Sequence, residues 1–121
     1  MIERLRSQRY GPSGHYVHHY DWSGISRSAD RVSTFMVYVD ANCTGGGTEF
    51  PRLKRPEDPK WCEYLECEEH TKGITFKPIR GNAVYWENLR PDWTGYEETW
   101  HAGLPVIEGQ KVGLNIWSWA W

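Results

Sequence analysis

Arg-Val-Ser-Thr-Phe-Met-Val-Tyr-Val-Asp, residues 31–40, is the most strand-like segment of this chain. It is rich in β-branched and aromatic side chains, so we predict a central strand. On both sides of it, similar short segments are separated by turn residues, namely Gly11-Pro12-Ser13-Gly14, Gly45-Gly46-Gly47, Gly81-Asn82 and a hairpin turn at Gly109. No convincing amphipathic helix interrupts the pattern. The sequence therefore predicts an all-β sandwich or barrel.

Further strands are predicted at residues 2–10, 15–22, 74–86 (broken at the Gly81-Asn82 turn) and 111–121, with loops at 23–29 and 88–98. In the second strand, Val17, His19 and Asp21 should share one face because side chains alternate. Residues 52–72 carry charges of both signs and two prolines. We interpret them as a surface insertion, either a lid near a site or a solvated excursion.

Length and composition limit the classes of protein to consider. The 121 residues suffice for one domain, and a hydrophobic content of 39% with 25% charged residues is typical of a globular chain. A net charge of -2 gives no electrostatic reason to expect nucleic acid as a partner. No apolar run approaches the roughly 20 residues that span a bilayer. Residues 1–9 lack the apolar region of a secretory signal, and the sequence leaves the compartment open.

The three cysteines do not form a complete disulfide framework. Cys62 and Cys67 are close enough to pair in an oxidising compartment, which would leave Cys43 over. Three reduced thiols are an equally admissible interpretation. A zinc site at Cys62, Cys67 and His70 lacks a fourth ligand and normal spacing.

One short motif points to metal chemistry. His19-Tyr20-Asp21, together with the distant His101, has the composition of the two-histidine, one-carboxylate triad of non-haem Fe(II) oxygenases. In an extended segment, His19 and Asp21 could reach one metal ion. Three such ligands occupy one face of an octahedron and leave three positions open.

The last predicted strand has two different faces. Val112, Leu114 and Ile116 form an apolar face, whereas the opposite face carries Lys111, Gly113, Asn115 and Trp117. Such a face indicates either a polar cavity or a half-exposed strand with an extended lysine. The eight tryptophans and seven tyrosines of the chain could likewise line a cavity or fill the core.

Taken together, six segments resemble the catalytic core of the prolyl 4-hydroxylases, which are Fe(II)/2-oxoglutarate-dependent dioxygenases. The segments are Arg-Tyr-Gly-Pro-x-Gly-x-Tyr at 9–16, His-Tyr-Asp at 19–21, Arg-Val-Ser-Thr-Phe-x-Val-Tyr at 31–38, Gly-Gly-Thr-Glu-Phe-Pro at 46–51, Pro-x-x-Gly-Asn-Ala-Val-Tyr-Trp at 78–86, and His-Ala-Gly-Leu-Pro-Val with Gly-x-Lys at 101–111. They cover nearly the whole chain. Only the insertion at 52–72 has no counterpart in the family pattern.

The resemblance implies a double-stranded β-helix, which is a cupin-like jelly roll, in a single domain over residues 1–121. The implied reaction is hydroxylation of an unactivated C–H bond, with peptidyl proline as the leading substrate and proline-containing peptide or protein as the partner. The implied cofactors are Fe(II), 2-oxoglutarate and O2, with ascorbate as reductant; 2-oxoglutarate becomes succinate and CO2. The alternatives are the same chemistry on a small molecule or another residue, and a non-catalytic jelly-roll binding module.

Carried over by position, the resemblance implies that His19, Asp21 and His101 are the iron ligands. Lys111, ten residues after His101, matches the cation that pairs with the far carboxylate of 2-oxoglutarate. An unpaired carboxylate would be costly to bury, so one counter-charge is required there.

Four further positions match the family less directly. Tyr10 and Thr48 match positions that hydrogen-bond the cosubstrate, and Arg31 and Trp117 match positions on the substrate side of the pocket. In the family, helices and strands normally precede the point where this chain begins. We therefore expect a jelly roll that lacks the usual N-terminal supporting elements, in a fragment or in a shortened form whose sheet edge is bare or covered by a partner.

Overall fold

Eight strands build the structure, a computed structural model that describes residues 1–25 and 28–121. In chain order they are β1 (Arg6–Tyr10), β2 (Tyr16–His19), β3 (Asp30–Gly45), β4 (Thr48–Phe50), β5 (Ile74–Phe76), β6 (Ala83–Glu87), β7 (His101–Gly103) and β8 (Val106–Ala120). The only helices in these ranges are two short 3-10 helices, Pro59–Glu63 and Glu97–Thr99. The prediction of an all-β fold is confirmed. Neither helix could span a membrane.

The strands form two antiparallel sheets of four. The larger sheet has the order β1-β8-β3-β6 and the smaller sheet the order β2-β7-β4-β5. Between them lies a core of Tyr38, Phe50, Val84 and Trp86, to which β3, β4 and β6 contribute. Burying these large side chains from both sheets is what holds the two layers of the jelly roll together.

The long strands β3 and β8 pair with each other at the centre of the larger sheet. The pairing runs from the Asp30–Ala120 pair to the Gly45–Val106 pair. The predicted central strand at 31–40 is confirmed, because β3 lies between β8 and β6. It is longer than predicted, at 16 residues, and thus reaches from one end of the sandwich to the other.

The hairpin turn predicted at Gly109 is wrong. Gly109 lies inside β8, opposite Cys43, with a φ of 80°. A Cβ atom at this position would come within 2.0 Å of the backbone oxygen of Asn42. Glycine is needed here because two paired backbones approach closely, and not because the chain reverses.

Other predicted boundaries shift by a few residues. Strand β1 begins at Arg6, although Ile2 makes an isolated bridge to Ser118, and β2 ends at His19. The segment 74–86 is divided into β5 and β6, as the Gly81-Asn82 turn indicated. Of the predicted loop at 23–29, residues 26–27 lie outside the described residues.

The insertion at 52–72 is tied to the sandwich at several points. Its 3-10 helix is capped by Asp58, and Cys62 and Cys67 form a disulfide. Of the two interpretations of the cysteines, pairing is the one the structure has, and Cys43 is free. Leu65 is buried and bridges to Phe76 of β5. The insertion is therefore an ordered part of the fold.

The loop after β6 is held against the end of β2 by an aromatic contact. The Trp22 indole donates a hydrogen bond to the backbone oxygen of Tyr96 at 3.3 Å. It also covers Gly95 so closely that a Cβ there would lie 2.2 Å from the ring. This contact fixes the loop that precedes β7 against the segment that follows β2.

Candidate metal centre and cosubstrate cavity

His19, Asp21 and His101 converge between the two sheets. Strands β2 and β7 are paired so that His19 and His101 are opposite each other, and Asp21 follows two residues after β2 ends. The potential ligand atoms of the three residues lie within 4.8 Å of one another. Asp21 Oδ1 is 3.3 Å from His19 Nε2 and 3.5 Å from His101 Nε2. Within the described residues this is the only such group.

A β-bulge in β2 aims His19 at this point. Tyr16 is opposite Gly103 and His19 is opposite His101, so β2 has one more residue than β7 between the two pairs. Tyr16 and His19 consequently both line the cavity, whereas Val17 is 66% exposed. The predicted shared face of Val17 and His19 is wrong, because simple alternation does not continue through the bulge.

Both histidines are oriented by backbone carbonyls. His19 Nδ1 lies 2.7 Å from the oxygen of Val17, and His101 Nδ1 lies 2.7 Å from the oxygen of Thr99. A carbonyl only accepts hydrogen bonds, so each Nδ1 carries the proton and each Nε2 is left with its lone pair. Those Nε2 atoms are the ones that face Asp21. This is how metal-binding histidines are commonly held.

Asp21 is buried and its two oxygens differ in their partners. Oδ2 accepts hydrogen bonds from the Thr34 hydroxyl at 2.8 Å and from the Trp117 indole at 3.1 Å. Burial raises the pKa of Asp21, but its polar neighbours His19, His101, Thr34 and Trp117 outweigh that effect, and the pKa falls to about 2. Asp21 is therefore a carboxylate at neutral pH.

His101 lies in a largely apolar setting. The Phe50 ring stacks on it with a centroid distance of 5.2 Å, and the Trp86 ring meets it at 4.9 Å. Burial lowers the pKa of His101 more than the nearby Asp21 charge raises it. The imidazole is thus kept neutral, which is the form that binds metals.

A cavity of about 220 Å³ extends from these three residues towards the β1 and β8 side of the sandwich. It is lined by every site residue that the sequence predicted: Tyr10, His19, Asp21, Arg31, Thr48, His101, Lys111 and Trp117. Gly113 and Asn115 also line it, so the polar-cavity interpretation of β8 is the correct one. None of residues 52–72 lines the cavity, although Arg52 donates a hydrogen bond to the hydroxyl of Tyr20, which does.

Lys111 is a buried cation without an anion. Only 5% of its surface is exposed, and its Nζ donates to the backbone oxygen of Gly46 at 2.5 Å. Its Nζ also lies 5.1 Å from the centre of the Tyr10 ring. Among the described residues no carboxylate forms an ion pair with it. Burial lowers the pKa of Lys111, which reflects the cost of holding this charge without a partner.

Two hydrogen bonds made by hydroxyl groups lie along the same cavity. The Tyr10 hydroxyl donates to Gln8 Oε1 at 2.5 Å, and the hydroxyls of Tyr38 and Thr48 lie 2.6 Å apart. Burial raises the pKa of Tyr38, so it stays protonated and can donate. Sequence reasoning missed Tyr38 as a site residue, although its place in the strongly patterned strand β3 was a usable signal.

At the other end of the cavity, Arg31 and Trp117 form a stacked pair. The Arg31 guanidinium lies 3.8 Å from the centre of the Trp117 ring. Glu3 holds it with two hydrogen bonds of 2.8 and 2.9 Å. Trp119 donates its indole N–H to the same carboxylate. A cation with a fixed orientation is therefore presented at the edge of the metal centre.

The model of the 2OG-Fe(II) oxygenase superfamily matches residues 5–119. The chain belongs to this superfamily. Probable prolyl 4-hydroxylase 4 of Arabidopsis thaliana is 32% identical to it, over 97% of this chain and 39% of the relative. Prolyl 4-hydroxylase subunit alpha-3 of Homo sapiens is 30% identical, over 95% of this chain and 19% of the relative.

A solved structure has the same fold. The viral collagen prolyl hydroxylase of Paramecium Bursaria Chlorella virus-1, determined as a 2OG complex, gives a TM-score of 0.79 at 31% identity. The match covers 100% of this chain and 60% of that one. This confirms the 2OG oxygenase jelly roll. The chain spans about two-fifths of the length of the Arabidopsis relatives it matches.

The superfamily's name implies Fe(II) and 2-oxoglutarate, and the residues of this cavity fit both. Two imidazole nitrogens and one carboxylate oxygen are a donor set that suits Fe(II). The unpaired Lys111 is suited to one end of a dicarboxylate, which would remove the cost of the lone buried charge.

Proposed function

We propose that the chain is the catalytic core of an Fe(II)- and 2-oxoglutarate-dependent dioxygenase that hydroxylates proline in peptides or proteins. The observation that carries this proposal is the pairing, in one cavity, of a metal-ligand triad with a buried, unpaired lysine. A metal site alone would fit many functions. The lysine gives a reason to expect an anionic cosubstrate, which supports 2-oxoglutarate-dependent chemistry.

Each residue has a definite task in the proposed mechanism. His19, Asp21 and His101 would hold Fe(II) through Nε2, Oδ1 and Nε2, because their other polar atoms are already engaged. Lys111 would pair with the distal carboxylate of 2-oxoglutarate. With O2, the bound iron and cosubstrate supply the oxidation, in which 2-oxoglutarate becomes succinate and CO2 while one oxygen atom enters a substrate C–H bond.

The remaining cavity residues would orient the reactants. Tyr10 and Thr48 offer hydroxyl groups in the same cavity as Lys111, and Arg31 with Trp117 would face the substrate at the metal end. The apolar rings of Phe50 and Trp86 exclude water from the side of His101. Ascorbate is the proposed reductant for turnovers that leave the iron oxidised.

The substrate class rests on the relatives. Several of them are named prolyl 4-hydroxylases, and one solved relative is named a collagen prolyl hydroxylase. We propose a proline-containing peptide or protein as the partner and hydroxylation at the 4-position as the reaction. Mass spectrometry tests this directly, since proline-rich peptides should gain one oxygen atom and matched peptides with alanine for proline should not. A gain on the alanine peptides would contradict the proline assignment.

Assembly of the site is tested by an anaerobic titration. Purified chain should bind Fe(II), and addition of 2-oxoglutarate should produce the visible charge-transfer band of the chelate. The double variant His19→Ala with Asp21→Ala should lose iron and the band. His18→Ala is the matched control, because His18 is a neighbouring histidine bonded to Glu49 at 2.7 Å and lies outside the triad. Iron binding without the band would contradict the cosubstrate assignment.

A further inference from the structure

Thr34 and Asn88 form a buried polar pair behind Asp21. Both are completely buried, and neither lines the cavity. Thr34 belongs to β3, and Asn88 follows directly after β6. The Asn88 side-chain nitrogen donates to Thr34 Oγ1 at 2.9 Å, and Thr34 Oγ1 donates to Asp21 Oδ2 at 2.8 Å. The three side chains thus form one chain of hydrogen bonds that ends on a candidate metal ligand.

The direction of this chain follows from counting protons. A threonine hydroxyl has a single proton, and an amide nitrogen can only donate. Since Asn88 donates to Thr34, the threonine proton must point to Asp21. In the opposite amide orientation, the Asn88 oxygen would compete with Asp21 for the same proton.

This orientation of the amide leaves one of its atoms without a partner. Asn88 Oδ1 is buried and has no hydrogen-bond partner among the residues that the structure describes. Such groups are costly and rare in folded proteins. The Asn88 backbone is fixed on both sides, because its N–H donates to Val32 and its oxygen accepts from Tyr96, each at 2.9 Å. An unsatisfied oxygen on a residue whose backbone is fixed by two hydrogen bonds indicates that the Asn88 amide has a role at this position.

We propose that Thr34 and Asn88 are positioning residues that keep Asp21 a one-atom metal ligand. This inference rests on the proposed function. With the Trp117 indole, the Thr34 hydroxyl occupies Asp21 Oδ2, and only Oδ1 faces the two histidines. A carboxylate with both oxygens free can take two positions on a metal ion. Occupying Oδ2 therefore preserves the open positions that the cosubstrate and O2 require.

The test measures metal binding in place of turnover. Co(II) is titrated into the apo chain, and the visible spectrum gives both the affinity and the coordination geometry. Thr34→Val keeps the shape of the side chain and removes the hydroxyl; it should weaken Co(II) binding about 10- to 100-fold and change the band shape. Thr34→Ser should restore both.

A matched control comes from a second buried threonine. Thr75 of β5 is 2% exposed, and within residues 1–25 and 28–121 its hydroxyl has no hydrogen-bond partner. Thr75→Val should therefore leave the Co(II) affinity and spectrum unchanged. If Thr75→Val weakens Co(II) binding as much as Thr34→Val does, the effect is one of packing and the proposal is overturned.

The role of Asn88 is tested through its partner. Asn88→Ala should weaken Co(II) binding in the wild-type chain and have no further effect in the Thr34→Val background, because it acts through the hydroxyl. An unchanged affinity and spectrum in Asn88→Ala overturns the proposal, and this variant keeps the test decisive if Thr34→Val does not fold. If the wild-type chain itself binds no Co(II), the proposed function fails and this inference fails with it.

Discussion

Replacing Lys111 with methionine should have opposite effects on the two states of the protein. In the apo chain the substitution removes a buried charge whose only hydrogen-bond partner in the described part of the chain is the Gly46 carbonyl. Methionine is an apolar side chain of similar length, so the free energy of unfolding should rise or stay equal. With 2-oxoglutarate present, the same substitution leaves the distal carboxylate buried without a counter-charge.

The size of the second effect follows from that burial. Lys111 is 5% exposed, and two of its three N–H donors remain available after the bond to Gly46. Removing one partner of a buried ion pair costs about 3–5 kcal/mol. The Kd for 2-oxoglutarate should therefore rise roughly a hundredfold to a few thousandfold. Anaerobic calorimetry on the Fe(II)-loaded chain measures this, and thermal unfolding of the apo chain measures the first effect.

Lys77 provides the control for a lysine bonded to a carbonyl. Its Nζ donates to the backbone oxygen of Cys62 at 2.7 Å, and it does not line the cavity. Lys77→Met should leave the 2-oxoglutarate affinity unchanged. The reasoning is refuted if Lys111→Met binds 2-oxoglutarate within twofold of the wild-type chain, or if it clearly destabilises the apo protein.

Three further outcomes are expected. Burial lowers the pKa of Lys111 below 10.5, so between the folded and unfolded pKa values the unfolded chain binds more protons than the folded chain. The free energy of unfolding of the apo chain should therefore rise with pH in that window. If urea titrations give wild type and Lys111→Met the same slope of stability against pH, this reasoning is contradicted. Gly95→Ala places a Cβ against the Trp22 ring and should lower the free energy of unfolding, measured in urea, by about 1–3 kcal/mol. Gly11→Ala is the control and should be neutral, because a Cβ at that position meets open space. Equal effects of the two substitutions would refute the importance of the Trp22 contact. Replacing Cys62 and Cys67 with serine removes a disulfide between residues with a sequence separation of 5 and should lower the free energy of unfolding by about 2 kcal/mol. Reduction of the wild-type chain should lower it by a similar amount. An unchanged stability after reduction would show that the disulfide contributes nothing.

Patterns local to the sequence predicted the parts of the fold that depend on local physics. The β-branched run in β3 and the two faces of β8 follow from side-chain alternation, which each strand displays by itself. The H-x-D spacing and the resemblance named the residues that the structure gathers around one cavity.

Features that depend on two paired segments could not be predicted in this way. The bulge that turns Val17 outward is a mismatch between β2 and β7, so neither strand reveals it alone. The positive φ of Gly109 is required by the close approach of the β3 backbone and not by a turn. Thr34 and Asn88 are 54 residues apart and meet only because β3 and β6 pair. Tertiary contacts, rather than propensity, select such residues.

Lys111 and Trp117 lie on the same face of β8, and the distance between them along the strand limits the length of a ligand that the cavity can hold. The two residues are six positions apart on one strand, roughly 20 Å at about 3.4 Å per residue. A single-residue insertion or deletion between them would turn one of the two side chains out of the cavity, and a two-residue change would move the lysine by roughly 7 Å. Changing the length of this strand would therefore disrupt the cavity and could not lengthen or shorten it in small steps. Small adjustments of the cavity must come from exchanging side chains, because the spacing of residues along the strand is fixed.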